Sequence, residues 1–152
     1  MPLTIRPADP ADIPFMAEIR AQTKGTAAFW TDRIERYLRG AHSPRQALEP
    51  RSVFVAAEDG KIAGFVAGHR TRRFDCDGEV QWIDIDREYR RRGIGRELMA
   101  EIGAWFVMQK ATRVCVNVDI NNLAARKLYE KCGARSLDKA WMIWDDASLI
   151  GR

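Results

Sequence analysis

Apolar and polar residues change their spacing several times along the chain, and each change predicts a different element. Short stretches rich in β-branched and aromatic residues predict strands. These stretches are residues 3–6, 52–57, 61–68, 80–85, 112–118 and 140–144. Apolar residues spaced three and four apart predict helices instead. The four helices are expected to begin near Asp9, Thr31, Gly93 and Asn122.

Turn-forming residues separate these elements. The pair Asp59-Gly60 predicts a two-residue hairpin between the second and third strands. Residues 41–50, which include two prolines, predict a loop, and residues 70–78 predict a polar turn. The helix over residues 93–108 is long enough for a crossover, so the two strands that it joins can be parallel. The order of the elements predicts an α/β fold built on a mixed sheet.

The composition is that of an ordinary globular protein. With 152 residues, 46% hydrophobic and 30% charged, the chain is expected to form one domain, 1–152. No apolar run is long enough to predict a membrane span, and the first six residues lack the apolar core of a signal peptide. Three cysteines without a close pair argue against a disulfide framework and a zinc site. We therefore expect a cytoplasmic protein without a metal.

Residues 80–99 pass from an apolar strand through a basic loop into an amphipathic helix. Such a loop directs several backbone N–H groups to one point at the positive end of the helix dipole, which is a site for phosphate. Gly93 and Gly95 allow a ligand close to the backbone. Four arginines surround them: Arg90, Arg91, Arg92 and Arg96. This local cluster explains the net charge of +4 without nucleic acid.

The spacing of the loop excludes two common nucleotide sites. The P-loop requires a Lys-Ser/Thr pair after its last glycine, and the dinucleotide fingerprint requires a third glycine where this chain has Leu98. The pattern Arg90-x-x-Gly93-x-Gly95 instead resembles the acyl-CoA pyrophosphate loop of the GNAT (Gcn5-related N-acetyltransferase) superfamily, which reads Gln/Arg-x-x-Gly-x-Gly/Ala.

A second segment, residues 122–134, resembles another GNAT motif, Asn-x-x-Ala-x-x-x-Tyr-Glu-Lys-x-Gly-Phe. The match covers Asn122, Ala125, Leu128, Tyr129, Glu130, Lys131 and Gly133. It departs at Ala134, where the family has an aromatic residue. Both motifs occur in the family's order, each after a predicted strand, so the two together are much more specific than either alone.

The resemblance implies a splayed central sheet flanked by helices, with acetyl-CoA as the cosubstrate. The pantetheine arm would lie beside the strand that ends at Ile85. The residues implied for acetyl-CoA binding are Ile83, Asp84, Ile85, Arg90, Arg91, Arg92, Gly93, Ile94, Gly95, Arg96, Asn122 and Tyr129. The activity implied is acetyl transfer to a primary amine by direct attack in a ternary complex.

Acetyl transfer to an ammonium needs a base, and the departing thiolate needs an acid. Tyr129, placed near the sulfur by the resemblance, is the candidate acid, and packing on a helix is its alternative role. Glu79, eleven residues before Arg90, matches a catalytic carboxylate of several family members. Asp84, a carboxylate within an apolar strand, and a water chain are the alternatives for the base.

The acceptor is left open by the sequence, as a small-molecule amine or a peptide or protein amine. Phe29 and Trp30, in a segment without clear periodicity between the first two helices, are candidates to contact it by cation–π attraction. We expect no nucleic-acid or membrane partner, and a homodimer is possible. The alternatives to an enzyme are an acyl-CoA-binding sensor on the same fold and an arginine-rich nucleic-acid-binding module.

Overall fold

A computed structural model describes residues 2–152 as seven strands and four α-helices joined by short 3₁₀ turns. The strands are β1 (Thr4–Pro7), β2 (Ala47–Glu58), β3 (Lys61–Thr71), β4 (Gly78–Ile85), β5 (Val114–Asn117), β6 (Arg135–Ser136) and β7 (Trp141–Trp144). The helices are α1 (Ile13–Ala21), α2 (Ala27–Leu38), α3 (Ile94–Met108) and α4 (Leu123–Lys131). In the described residues, no helix is long and apolar enough to cross a membrane.

The strands form one sheet in the order β1-β2-β3-β4-β5-β7-β6. Strands β4 and β5 are parallel, and the other neighbouring pairs are antiparallel. Helix α3 makes the crossover between β4 and β5, so the parallel pair predicted from the sequence is confirmed. The α/β fold with a mixed sheet is confirmed as well.

Each face of the sheet has its own apolar core. Helices α1 and α2 cover one face, where Met16, Ile34 and Tyr37 are fully buried with strand residues. Helix α3 covers the other face with a stripe of residues four apart, Leu98, Ile102 and Phe106. Tyr129 of α4 belongs to this second core. The sheet therefore separates the α1–α2 side from the α3–α4 side.

The first helical region begins as the sequence predicts. The Asp9 carboxylate accepts a hydrogen bond from Ala11 N–H, and Asp12 accepts one from Asp9 N–H at 2.7 Å. This reciprocal cap starts a 3₁₀ turn at Pro10, which leads directly into α1. Arg6 of β1 donates two hydrogen bonds to the Asp12 carboxylate, so the cap also ties the helix to the sheet.

Two predicted boundaries are wrong. Helix α2 begins at Ala27, and its N-cap is Thr26, whose hydroxyl accepts from Phe29 N–H. Thr31 lies within the helix, where its hydroxyl donates to the carbonyl of Ala27. The predicted loop at residues 41–50 also ends early, because β2 starts at Ala47. Pro50 is accommodated because β1 pairs with β2 only along residues 54–57 and the register with β3 shifts at this point.

A β-bulge sets the directions of the side chains on β4. The pairing with β3 shifts between Ala67–Trp82 and Gly68–Val80, which leaves Gln81 as an extra residue. Trp82 consequently packs in the α1–α2 core, whereas Val80 and Ile83 pack on the α3 side. The bulge thus places Trp82 and Asp84 on the same face as helices α1 and α2.

Candidate active site

Strands β4 and β5 separate soon after they meet. They pair only at Gly78–Val114, Glu79–Cys115 and Val80–Val116. The β4 residues 81–85 continue beside β3 but have no partner on β5, and the chain after β5 turns to bond Ala140 through Val118 N–H. This opening between the strands, which we call the splay, lies beside Ile83, Asp84 and Ile85, where the sequence predicts the pantetheine arm.

The loop after β4 presents free backbone donors. Within residues 2–152, no hydrogen-bond acceptor is found for the backbone N–H groups of residues 91–96, which lead into the first turn of α3. Gly93 is the N-cap of α3 but supplies no side chain, and its φ of 77° lies in the left-handed region. Unsatisfied donors at the positive end of a helix dipole form a site for an anion such as a phosphate group.

The two glycines of the loop have different roles. A Cβ atom on Gly93 would meet nothing within 4 Å, so this glycine borders open space at the start of α3. A Cβ atom on Gly95 would lie 3.2 Å from Leu128 Cδ2, so this glycine allows α3 and α4 to approach each other. Gly93 therefore adjoins the free donors without a side chain, whereas Gly95 serves helix packing.

The arginines of the loop are partly engaged with the protein. Arg92 pairs with Glu58 on β2, and Arg96 donates to the carbonyl of Gly151 at 3.0 Å. Arg90 lies 3.4 Å from the carbonyl of Ile85. Arg91 adopts a positive φ of 64° and is exposed. These contacts hold the loop against the sheet and the end of the chain, and the guanidinium groups keep further donors for a ligand.

Asn122 begins α4, as the sequence predicts. Its side-chain oxygen accepts from Ala125 N–H at 3.1 Å, which caps the helix. The cap uses only the oxygen of the amide, so the NH₂ group of Asn122 is left for another acceptor.

Tyr129 lies on the inner side of α4. It is 5% exposed, and its ring stands nearly perpendicular to that of Trp144, with the centroids 5.7 Å apart. Burial raises the pKa of the Tyr129 hydroxyl, and the negative charge of Asp84 raises it further. The hydroxyl is therefore protonated at neutral pH, which is the state required of an acid.

Asp84 forms an ion pair across the α1–α2 face. Its Oδ2 atom lies 2.9 Å from Nη1 of Arg20, the next-to-last residue of α1. Burial raises the pKa of Asp84, and Arg20 opposes this shift in part. The charges of both groups also act on the pKa of Tyr129, so the three residues are electrostatically linked.

Glu79 lies in a different environment from Asp84. Its carboxylate, which is 6% exposed, accepts from Arg73 Nε at 3.2 Å and lies 3.8 Å from Nε2 of His69. The other ring nitrogen of His69 contacts the hydroxyl of Tyr37 at 2.8 Å. Glu79 is thus one member of a buried polar cluster at the point where β4 and β5 first meet.

Phe29 and Trp30 lie in the first turn of α2 and not in an irregular segment, so their predicted setting is wrong. Phe29 is 48% exposed, and its ring is covered by Arg33 with the guanidinium carbon 5.0 Å from the ring centroid. Trp30 is buried, and Arg20 covers its ring at 4.6 Å. Each of the two rings therefore already has a protein guanidinium over one of its faces.

Arg20 is the site residue that sequence reasoning did not select. It continues the apolar series Ile13, Met16 and Ala17 of α1, where a charged residue is out of place. A charge at a buried position requires a partner, so an arginine within this apolar series could have been recognised as a candidate site residue. The partner, Asp84, is 64 residues away in sequence and could not have been identified in the same way.

Comparison with known proteins agrees with this geometry. A family model described as "Acetyltransferase (GNAT) family" matches residues 16–134. Human N-acetylaspartate synthetase is 32% identical over 89 residues, which cover 58% of this chain and 29% of that protein. The chain therefore spans less than a third of the length of this relative.

Two solved structures illustrate the shared fold. An N-acetyltransferase from Staphylococcus aureus Mu50 superimposes with a TM-score of 0.72 at 18% identity, covering 95% of this chain and 99% of that one. The yncA protein from Salmonella typhimurium, solved with its cofactor acetyl-CoA, gives a TM-score of 0.68 at 18% identity, covering 95% and 94%. The mixed sheet and its flanking helices are those of an acetyltransferase fold. The chain belongs to the GNAT family of acetyltransferases.

Proposed function

We propose that this chain is an acetyl-CoA-dependent N-acetyltransferase that acts on a primary amine through a ternary complex. The observation that carries the proposal is the row of free backbone N–H groups at residues 91–96, which includes Gly93 and follows the strand beside the splay. A loop of this kind fits a pyrophosphate, and the splay beside Ile83 and Ile85 fits an extended amide-containing arm. Acetyl-CoA would supply the activated acetyl group as a thioester.

The residues around the splay support a division of roles. The backbone of residues 91–96, with Arg90 nearby, would hold the pyrophosphate. The backbone of Ile83 and Ile85 and the amide of Asn122 would hold the pantetheine arm. The buried hydroxyl of Tyr129 would protonate the thiolate, because its raised pKa keeps its proton in place until a strong base forms beside it.

For the base, the geometry favours Asp84 over Glu79. Asp84 shares its electrostatic environment with Tyr129, and its raised pKa makes it a better proton acceptor than an ordinary carboxylate. The Glu79 carboxylate is bonded instead to Arg73, within the polar cluster that includes His69. We therefore assign proton removal to Asp84 and a supporting role at the first β4–β5 pairs to Glu79.

The name of the relative, N-acetylaspartate synthetase, supports a small amine as the acceptor.

The three cysteines are all free and buried, which suits a reducing compartment, so we place the reaction in the cytoplasm.

Isothermal titration of the protein with acetyl-CoA and then with CoA, at moderate salt, tests the proposal. We expect micromolar binding of both ligands and release of CoA thiol when amines are added. Absence of binding would overturn the assignment of the loop. Binding without turnover on a broad panel of amines would instead indicate an acyl-CoA sensor.

A further inference from the structure

The ion pair between Arg20 and Asp84 leaves most donors of the guanidinium unused. A single contact, Arg20 Nη1 to Asp84 Oδ2 at 2.9 Å, joins the two side chains. Arg20 Nε is buried and has no hydrogen-bond partner among residues 2–152. An arginine presents five N–H donors, and leaving a buried donor unsatisfied is costly. The guanidinium therefore has capacity for a further acceptor.

Arg20 is held in one orientation by aromatic rings. Its guanidinium carbon lies 4.6 Å from the ring centroid of Trp30 and 6.0 Å from that of Trp82. Trp30 is fixed in turn, because its indole N–H donates to the carbonyl of Lys24 at 2.6 Å. The two indole rings meet edge to face with centroids 6.0 Å apart. A guanidinium fixed in this way loses little freedom when it binds a planar anion.

The pair remains partly accessible at the splay. The Arg20 side chain is 22% exposed, and that of Asp84 is 12% exposed. The neighbouring Glu79 cluster differs, because its His69 and Tyr37 are fully buried. The Arg20–Asp84 pair is therefore partly open to solvent, and a ligand can contact it without displacing the core.

We propose that the Arg20–Asp84 pair binds the acceptor as a zwitterion, and that the acceptor class is the free α-amino acids. The α-carboxylate accepts from Arg20, and the α-ammonium donates to Asp84. A pair of opposite charges and a zwitterion sum to zero, so burying them together adds no net charge. A neutral amine lacks the group that Arg20 requires, and a protein lysine has no carboxylate next to its amine.

This inference rests on the proposed function and adds the acceptor to it. The α-ammonium gives one proton to Asp84, and the nitrogen lone pair attacks the thioester carbon. The C–N bond forms, and the C–S bond breaks as the tetrahedral intermediate collapses. Tyr129 protonates the thiolate and regains a proton from the nitrogen, while the proton on Asp84 leaves to water. The products are an N-acetylamino acid, CoA thiol and one proton.

The test compares each amino acid with the amine that lacks only its carboxylate. Thiol release is measured for the twenty common α-amino acids, and alanine, leucine and phenylalanine are paired with ethylamine, isoamylamine and phenethylamine. We expect the best amino acid to exceed its paired amine at least ~100-fold in kcat/KM, because a site built for a polar group rejects analogues without it. A ratio near one would overturn the inference about the acceptor, while the thiol release itself would still support the proposed acetyltransferase activity.

Two variants assign this discrimination to Arg20. In Arg20→Gln, the ratio between amino acid and amine is expected to fall at least ~10-fold, mostly through the KM of the amino acid. Arg20→Lys keeps the charge, so its ratio between amino acid and amine is expected to lie between those of Arg20→Gln and the wild type. Arg33→Gln removes another guanidinium that lies over an aromatic ring, and it should keep the wild-type ratio. An unchanged ratio in Arg20→Gln would contradict the assignment.

A binding experiment keeps the inference testable if turnover is absent. The amino acids are titrated into the CoA-bound protein by calorimetry, with the paired amines as controls. Binding of an amino acid but not of its amine supports the site, and binding of neither overturns it. Retained acetyl-CoA affinity in each variant, with a similar melting temperature, shows that the fold and the anion loop are unaffected.

Discussion

Glu79 and Asp84 lie five residues apart on one strand and face the same side of the sheet, yet each is bound by a different arginine. Arg73 from the turn before β4 bonds Glu79 at 3.2 Å, and Arg20 from α1 bonds Asp84 at 2.9 Å. The bulge at Gln81 makes this arrangement possible, because without it residues at odd spacing would point to opposite faces. The two carboxylates are therefore separable by mutation.

Asp84→Asn removes the proposed proton acceptor and should lower kcat about 100-fold, as is typical for loss of a general base. Glu79→Gln leaves the partly buried Arg73 without its charged partner, so it should cost about 1.5 kcal/mol of stability, with a smaller effect on kcat. Turnover under saturating acetyl-CoA and urea denaturation measure the two effects. A larger loss of kcat in Glu79→Gln would transfer the role of base to Glu79.

The pH dependence follows from the raised pKa of Asp84. Because burial favours its neutral form, the base becomes active only as the pH rises through a value above the ordinary 3.8. We expect kcat/KM to rise over this range in the wild type, and the same limb should persist in Glu79→Gln. Loss of the limb in Glu79→Gln would argue against Asp84.

The raised pKa of Asp84 also makes the stability depend on pH, but stability falls with rising pH where kcat/KM rises. Folded Asp84 holds its proton more tightly than the unfolded chain, so the folded state binds more protons between pH 3.8 and the raised pKa. The Asp84 contribution to stability therefore falls as the pH rises through that window. Asp84→Asn should remove this contribution, which denaturation at a series of pH values would detect as a smaller loss of stability with rising pH.

Tyr129→Phe should lower turnover ~10-fold or more and leave acetyl-CoA affinity nearly unchanged, because only the hydroxyl is lost while the ring keeps its contact with Trp144. Calorimetry and the thiol-release assay separate the two quantities. Tyr89→Phe is the matched control, since Tyr89 lies in the turn before the anion loop and has no proposed part in the chemistry. Normal turnover in Tyr129→Phe would remove Tyr129 as the acid.

Gly93→Val should abolish CoA binding, because it adds a branched side chain within the row of free N–H groups. A left-handed φ also costs about 1–2 kcal/mol for a residue with a Cβ atom, so stability should fall slightly. Gly40→Val provides the control for strain, because Gly40 has a φ of 78° at the end of α2, outside the loop. CoA binding by Gly93→Val with normal affinity would contradict the assignment of the loop.

Much of the fold could be predicted because local signals agreed with the tertiary structure. The Asp59-Gly60 hairpin has positive φ values at both residues, and Asn122 caps α4 through its own side chain. Each of these features depends on residues adjacent in sequence. The free donors of the anion loop could be anticipated for the same reason, since a glycine at a helix start predicts them without any distant contact.

The errors arose where contacts beyond neighbouring residues decide the outcome. Thr26 and Thr31 are equally suitable caps in sequence, and Trp30, held by the Lys24 carbonyl, favours the earlier start of α2. The bulge at Gln81 has no sequence signal of its own, although it decides which residues share a face with Asp84. The pairing of Arg20 with Asp84 depends on how α1 lies across the sheet, which no local pattern encodes.

The short seam between β4 and β5 has a thermodynamic consequence. In the described chain, the β4–β5 ladder has three residue pairs, and the crossover helix and the bonds of Asp77 with residues 112–113 also join strands β1–β4 to strands β5–β7. A ligand that fills the splay contacts both groups of strands, so it stabilises the closed sheet by mass action, by about 2.7 kcal/mol at a hundred times its Kd. Amide hydrogen exchange at β5 and β7 should then slow as ligand concentration rises. The cosubstrate would thereby determine how often the sheet opens, and the lifetime of the protein would depend on the supply of its own acetyl donor.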